Sequence, residues 1–236
     1  MTDQPAPPPL DPRTTYGALA NPDLLARVPM AARSVLDVGC GAGGLGRALR
    51  GKGFPGRLAG IEPDPALAAQ AAAHYDRVHR IDIDVQGVPM PPGSVDVLVY
   101  GDVLEHLRDP WAVLKRDAGL LAPGGTLLVC IPNLEHWSFA ARLLAGRWRY
   151  EEMGLFDRTH LRWFTHAGMR DAILAAGLRP VETAPRIFDR EKAEAFAAKM
   201  RPGLVALGVD PDDWLRRSLP LQYVWRAMKP DIPGGP

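Results

Sequence analysis

A short apolar run, Ser34-Val35-Leu36-Asp37-Val38, ends abruptly in Gly39-Cys40-Gly41-Ala42-Gly43-Gly44, and a helical pattern resumes at Leu45. A strand that meets a bend without side chains and then enters a helix constrains the fold more than any other feature of the chain. Glycines are used where the backbone turns sharply or where a ligand must approach it, because no Cβ stands in the way. The spacing Gly39-x-Gly41-x-x-Gly44 is a weak signal alone. It gains weight because Glu62 follows 18 residues later, at the end of the next apolar run, Arg57-Leu58-Ala59-Gly60-Ile61. A carboxylate in that place can accept both hydroxyls of an adenosine ribose. The unit predicts an adenosine-containing ligand at the carboxyl edge of a sheet.

The strand-then-helix rhythm continues. Helices are predicted over 16–28, 45–51, 65–74 and from the Asp109-Pro110 start towards Leu121, where Pro123-Gly124-Gly125 stops the chain. Strands are predicted over 77–83, 95–100 and 126–131. Alternation of this kind implies βαβ units, a parallel sheet and an α/β domain. Beyond Pro132 the pattern loosens. Helices are expected over 138–144, over 165–176 with Thr165 as N-cap, and over 189–200 and 210–219, with late strands at 178–183 and 221–227.

Both NAD and S-adenosylmethionine fit a glycine bend followed by a ribose-binding acid, and Asp37 separates them. It stands two residues before Gly39. A carboxylate there would repel a pyrophosphate and suit a ligand that carries an ammonium group. A strand-end Asp that caps the loop amides is the structural alternative.

These residues resemble class I S-adenosylmethionine-dependent methyltransferases. The likeness runs through Val35-Leu36-Asp37-Val38-Gly39-Cys40-Gly41-Ala42-Gly43, Ile61-Glu62, Asp82-Ile83, Val95-Asp96, Gly101-Asp102-Val103-Leu104-Glu105-His106-Leu107 and Leu121-Ala122-Pro123-Gly124-Gly125, covering residues 15–183. Ile131-Pro132-Asn133, the segment 155–165 and Gln222-Tyr223-Val224 are similar to a bacterial branch (methyltransferase-domain 23 and 11 types) associated with surface-glycan or small-metabolite modification. The resemblance implies a Rossmann-like, seven-stranded, mostly parallel sheet with helices on both faces. It implies that Asp37, Gly39, Gly41 and Gly43 hold the methionyl end of the cofactor and that Glu62 binds the ribose. Asp82, or alternatively Asp84, would meet the adenine amino group beside the Ile83 amide. Gly101 would pass under the sulfonium, and Tyr16 would close over the cofactor.

A sulfonium methyl is already activated, so catalysis is chiefly a matter of alignment. An alcohol or phenol acceptor also needs a base or a metal to take its proton. Asp102, Glu105 and His106 fall at i, i+3 and i+4, one face of a helix if the chain is helical there. With His160 they are similar to the divalent-metal cluster of small-RNA 2′-O-methyltransferases and ubiquinone-pathway O-methyltransferases, with Asp in place of the first Glu. Three readings stay open: a site for a divalent metal such as Mg²⁺, His106 or His160 as general base without metal, or a helix start that only shapes the pocket. Trp137, Trp148, Tyr150, Phe156, Trp163 and Phe164 either line an acceptor pocket or pack a lid. Arg142, Arg147, Arg149, Arg158 and Arg162 hint at an anionic acceptor.

Composition narrows the alternatives. The 236 residues carry 28 Lys plus Arg against 27 Asp plus Glu, and a net charge of +1 offers no field for a polyanion. A nucleic-acid substrate is therefore not expected, and a small-molecule acceptor is. Two cysteines, Cys40 and Cys130, allow neither a disulfide framework nor a CxxC metal site. The start MTDQPAPPPLDP lacks the basic and apolar regions of a signal peptide, and no apolar run approaches a membrane span. Together these predict a thiol-reduced cytoplasmic protein. The expected organisation is a proline-rich tail over 1–12, one methyltransferase domain over 13–230 and a tail over 231–236. The domain carries an acceptor lid around 133–164 and a helical insertion around 186–219. The expected activity is O-methylation of a small-molecule or glycan-type acceptor. An NAD-dependent oxidoreductase and a non-catalytic S-adenosylmethionine-binding module are the rivals.

Overall fold

The computed structural model describes residues 19–231. The proline-rich start, Tyr16 and most of the final tail lie outside the described residues. Seven strands form one sheet in the order β3-β2-β1-β4-β5-β7-β6. They are β1 (Ser34–Val38), β2 (Arg57–Ile61), β3 (Arg77–His79), β4 (Val95–Gly101), β5 (Leu121–Pro132), β6 (Arg179–Arg186) and β7 (Gln222–Met228). β1 to β5 pair in parallel, and β7 runs antiparallel between β5 and β6. The chain leaves β1 outward to β2 and β3, then returns to place β4 on the other side of β1. That reversal opens a crevice at the carboxyl ends of β1 and β4, the usual ligand position in an open α/β sheet.

All five residues of β1 are buried, Ser34 and Asp37 included, so its valines and leucine face both ways. Successive residues serve two separate cores. Leu36, Val38, Leu98 and Tyr100 belong to one, together with Val113, Leu114, Met169 and Ile173. Val35, Val97 and Val99 belong to the other, together with Leu24, Leu45, Leu49 and Ala71. The helices thus cover both faces: α1 (Pro22–Leu25), α2 (Gly44–Gly51) and α3 (Pro65–Ala71) on the second, α4 (Pro110–Asp117) and α6 (His166–Ala175) on the first. α5 (Trp137–Leu144), α7 (Arg190–Ala206) and α8 (Pro211–Ser218) complete the set.

Four helices begin with the same device. Asn21, Asp64, Asp109 and Asp210 each accept amide hydrogen bonds from the first turn, with Pro in the next position. The side-chain oxygen satisfies orphan N–H groups, and Pro needs no partner there.

Several boundaries differ from those read in the sequence. Within the described residues the first helix is a single short turn over 22–25, because Asn21-Pro22 starts it late. β3 ends at His79, and Ile83 reaches the core from a turn in which Val85 and Gln86 amides donate to the Asp82 carbonyl. β5 begins at Leu121 and runs through the Pro-Gly-Gly stretch. α7 continues through Pro202 to Ala206, which lets Leu204 bury. One ring costs one backbone bond, and the buried leucine offsets it.

Candidate active site

The bend after β1 is shaped by its neighbours as much as by any ligand. Gly39 has φ +68, and a Cβ there would lie 2.5 Å from Val103 Cγ2, so the β1 bend and the β4 turn are pressed together. Gly43 has φ +89 and caps α2, with the α3 backbone 3.0 Å from where a Cβ would be. The Gly41 amide donates to Glu62 Oε2 at 2.9 Å, and the Asp64 amide donates to Glu62 Oε1 at 3.0 Å. Glu62 is buried, and burial raises its pKa above the usual range.

Asp37 is buried at the end of β1, and desolvation raises its pKa to about 7 against the opposing hydrogen bond from Tyr75, with the charge of Glu62 adding to the rise. The Tyr75 hydroxyl donates to Asp37 Oδ2 and accepts from the Gly46 amide at 3.0 Å. Two buried carboxylates beside one bend are a place for a cation and not for a pyrophosphate.

A cavity of about 700 Å³ opens beside them, lined on one side by Asp37, Gly39 and Gly101 and on the other by Asp102, Glu105, His106 and His160. Glu62, Asp82 and Ile83 lie outside that lining. Asp82 is exposed, and its Oδ1 accepts from the Asp84 amide at 3.0 Å. The Asp84 carboxylate accepts from the Arg108 amide at 3.1 Å. Gly101 faces α1, where Leu24 Cδ1 stands 3.0 Å from a built Cβ.

Past Gly101 no α-helix forms. Asp102 turns the chain with φ +58, alone among the described residues other than glycine in having positive φ, and Leu104–His106 make a 3-10 turn. The three side chains therefore do not share a helical face. Asp102 Oδ1 accepts from Gln222 Nε2, and Asp102 stands outside the group that gathers at the turn. That group is Glu105, His106 and His160, whose ligating atoms lie within 4.8 Å of one another.

The chemistry of this trio follows from its hydrogen bonds. His106 Nδ1 lies 3.2 Å from the Thr159 carbonyl and 3.0 Å from Thr159 Oγ1, whose proton goes to Asp157 at 2.7 Å. A carbonyl only accepts, so His106 carries its proton on Nδ1 and leaves a lone pair on Nε2. His160 Nδ1 lies 3.3 Å from the Leu155 carbonyl, which fixes the same tautomer. Burial lowers both imidazole pKa values and keeps the rings neutral. Glu105 is 1% exposed, neither carboxylate oxygen has a hydrogen-bond partner, and burial pushes its pKa well above the usual range. Its own carbonyl accepts from the Leu161 and Arg162 amides, which ties the 155–164 segment to the turn.

The tryptophan-rich segment lines the cavity through residues of 152–160, and its singled-out aromatics do not. Phe139, Leu155 and Phe156 form a third small core, with Phe139 5.1 Å from Trp163 between ring centres and Trp163 5.3 Å from His160. None of the six aromatics singled out in the sequence lines the cavity, and neither do Arg142, Arg147, Arg149, Arg158 or Arg162. Arg142 pairs with Glu151 and Arg158 with Glu152. The cavity carries Asp37, Asp102, Glu105, Glu152 and Asp157 against one guanidinium, Arg186, which itself pairs with Asp23 at 2.9 Å. This lining gives the hint of an anionic acceptor no support.

Sequence reasoning missed Tyr75, Arg186 and Gln222, because only the register Arg186↔Gln222 and the turn that follows α3 bring them to the site. Asp157-x-Thr159 did carry a readable sign, an Asx turn in which the Thr159 amide donates to Asp157 Oδ1 at 2.8 Å.

A methyltransferase domain family matches residues 14–183. This chain belongs to the class I S-adenosylmethionine-dependent methyltransferases. It is 34% identical over 128 residues to a ubiquinone biosynthesis O-methyltransferase of Xanthomonas campestris, a match that covers 52% of this chain and 53% of that one. It is 36% identical over 164 residues to a trans-aconitate 2-methyltransferase of Methylobacterium nodulans, covering 62% and 61%. The chain spans about half the length of the first of these relatives. Its fold is similar to that of an S-adenosylmethionine-dependent methyltransferase from Archaeoglobus fulgidus, with TM-score 0.64, 16% identity and coverage of 92% and 94%. A putative methyltransferase in complex with the Trm112 activator from Haloferax volcanii gives TM-score 0.62, 22% identity and coverage of 94% and 92%. Among the described residues of the methyltransferase, no helix is long and apolar enough to cross a membrane.

Proposed function

We propose that the enzyme transfers the methyl group of S-adenosylmethionine to a hydroxyl of an uncharged small-molecule or glycan-type acceptor, with His106 as general base. The observation that carries this reading is the pair of neutral imidazoles, His106 and His160, each holding its proton on Nδ1 against a carbonyl at the cavity wall. In this reading Asp37 and the bend Gly39, Gly41 and Gly43 hold the methionyl end and its ammonium. Glu62 takes the ribose hydroxyls, Asp82 and Ile83 the adenine, and Gly101 leaves room for the donor methyl. The acceptor oxygen attacks the methyl carbon as the carbon–sulfur bond breaks. Its proton passes to His106 Nε2, and S-adenosylhomocysteine leaves. His160 stands beside His106 at 4.8 Å between ring centres and orients it. The name of the first relative, a ubiquinone biosynthesis O-methyltransferase, supports oxygen as the methylated atom, and both names support a small-molecule acceptor.

A second reading adds a divalent metal. The ligating atoms of Glu105, His106 and His160 lie within 4.8 Å of one another, and the buried, unpartnered carboxyl of Glu105, deprotonated on binding, fits such a group. Two imidazoles and one carboxylate suit Mn²⁺, Fe²⁺ or Zn²⁺ better than Mg²⁺, which favours oxygen ligands. A bound metal would lower the pKa of an acceptor hydroxyl. An NAD-dependent oxidoreductase and a non-catalytic binding module are not favoured. Residues 13–230 then act as one unit, with 133–164 as the acceptor lid and 186–219 as a cap. The two buried free thiols, Cys40 and Cys130, support a reducing cytoplasmic setting.

The test is the turnover of His106→Ala against an acceptor library, in chelator and with Mg²⁺ or Mn²⁺ restored. A loss of about a hundredfold or more in every condition supports the base. Wild-type activity that disappears in chelator and returns with Mn²⁺ supports the metal. Unchanged turnover of the variant throughout refutes both.

A further inference from the structure

The carboxyl end of β6 and the amino end of β7 form a two-stranded wall with a cavity on each side. Arg186 and Gln222 are register partners and line the cavity already described. Pro185 and Tyr223 are the next register pair, and they line a second cavity of about 630 Å³ that the first does not share. This follows from the pleat, since neighbouring residues of a strand face opposite ways. The second cavity is floored by Pro185, Ile187, Leu219 and Tyr223 and walled by α8.

Its rim is basic. His166, Arg190, Arg216 and Arg217 line it, with Asp212 as the one acid. Asp212 is already paired with Arg201 from outside the lining. The pairs that hold Arg190 to Glu194 and Arg216 to Asp213 have side chains about half exposed or more on the arginine side, at 56% and 76%. Exposed pairs of this kind are worth little, so a ligand competes with them easily. Arg217 is held more firmly, between Asp213 and Glu135, and stays in place at the wall. The His166 ring lies 4.9 Å from Tyr223 and 4.5 Å from Trp225 between centres, and burial keeps its pKa below the usual imidazole range. The cavity thus joins an apolar, partly aromatic floor to two arginines free to turn inward. Its polarity is opposite to that of the acidic cavity across the wall.

The geometry points to a second ligand site in this cavity, for a compact organic anion with an aromatic or branched apolar body and a phosphate or carboxylate head. The body lies on Pro185, Ile187 and Tyr223, and the head takes Arg190 and Arg216. Bidentate guanidinium contacts favour planar or tetrahedral oxyanions in this way. The site is separate from the first cavity: the two share no lining residue, and an anion enters here and not on the side that carries Asp37, Asp102 and Glu105.

Calorimetric titration of the full chain with phenyl phosphate tests this, with phenol and inorganic phosphate as the two half-ligands and benzoate as the carboxylate arm. Phenyl phosphate is expected to bind at least about fivefold more tightly than either half-ligand. The double variant Arg190→Gln/Arg216→Gln, both exposed and outside the catalytic machinery, is expected to weaken it about fivefold or more while S-adenosylhomocysteine affinity holds. Phe188→Ala, at the rim of the first cavity, is expected to leave it unchanged. Benzoate binding alongside phenyl phosphate extends the site to carboxylates, and its absence narrows the head to phosphate. No binding of phenyl phosphate at millimolar concentration, a smaller loss in the double variant, or displacement by S-adenosylhomocysteine overturns the proposal.

Discussion

Asp37 sits between two demands. In the proposed reading it must be charged to hold an ammonium group, yet burial places its pKa at about 7. The folded pKa is raised above the unfolded value, so the carboxyl favours the fold at low pH. That contribution is lost as pH rises from about 4 to about 7. Cofactor binding runs the other way, since only the ionised form pairs with the ligand. S-adenosylhomocysteine is therefore expected to bind about tenfold more tightly at pH 8 than at pH 6. Calorimetry across that range checks it, and Asp37→Asn should bind weakly with a flat profile. A wild-type affinity independent of pH rejects the role given to Asp37. Tyr75 belongs to the same unit. Its hydroxyl occupies one carboxylate oxygen, and its ring fills the space that a Cβ on Gly46 would need, 2.5 Å away.

Among the elements, the segment between β5 and α6 is held by packing more than by secondary structure. The Phe139–Phe156 contact at 4.8 Å and the two amide bonds to the Glu105 carbonyl anchor it. Phe139 is 3% exposed. Phe139→Ala should free residues 145–164 and misplace His160 while leaving the bend after β1 intact. The expected result is faster amide exchange confined to that segment, turnover reduced by about tenfold or more, and unchanged S-adenosylhomocysteine affinity. Exchange that rises across the whole sheet, or turnover that stays level, contradicts this. How legible each element was depends on what fixed it. β1, β2, α6 and the helix starts at Asp64, Asp109 and Asp210 rest on local pattern and caps, and the sequence displays them. The turn at Asp102 rests on contacts with Gln222 and the Cys130 carbonyl, 120 and 28 positions away, so an i, i+3, i+4 spacing was a poor guide there. The aromatic segment stayed open between lining and packing for a related reason: composition shows which rings are present but not which way they face.

For the whole molecule, the proposed reading separates cofactor from acceptor by topology. It puts the donor in the crevice where β1 and β4 diverge, and the acceptor in the part of the cavity bounded by the 3-10 turn, the 155–164 segment and the ends of β6 and β7. A cofactor that bridges α1, β1 and β4 should stabilise the entire chain. S-adenosylhomocysteine at a hundred times its Kd adds about 2.7 kcal/mol, which raises Tm by about 5–10 °C for a chain of this size. NAD at the same concentration should leave Tm unchanged. A scanning-fluorimetry trace with those two results exchanged removes the methyltransferase assignment of the crevice.

Because β7 is antiparallel, the excursion over residues 187–221 departs and re-enters at facing positions of one ladder, Arg186 and Gln222. Its two ends are neighbours before it is built, so its size is nearly free of the sheet. Doubling such a loop costs only about 0.6 kcal/mol of closure entropy. The scaffold can therefore exchange this piece for a shorter or longer graft and inherit a different substrate preference, while the donor half of the machine goes on unaltered.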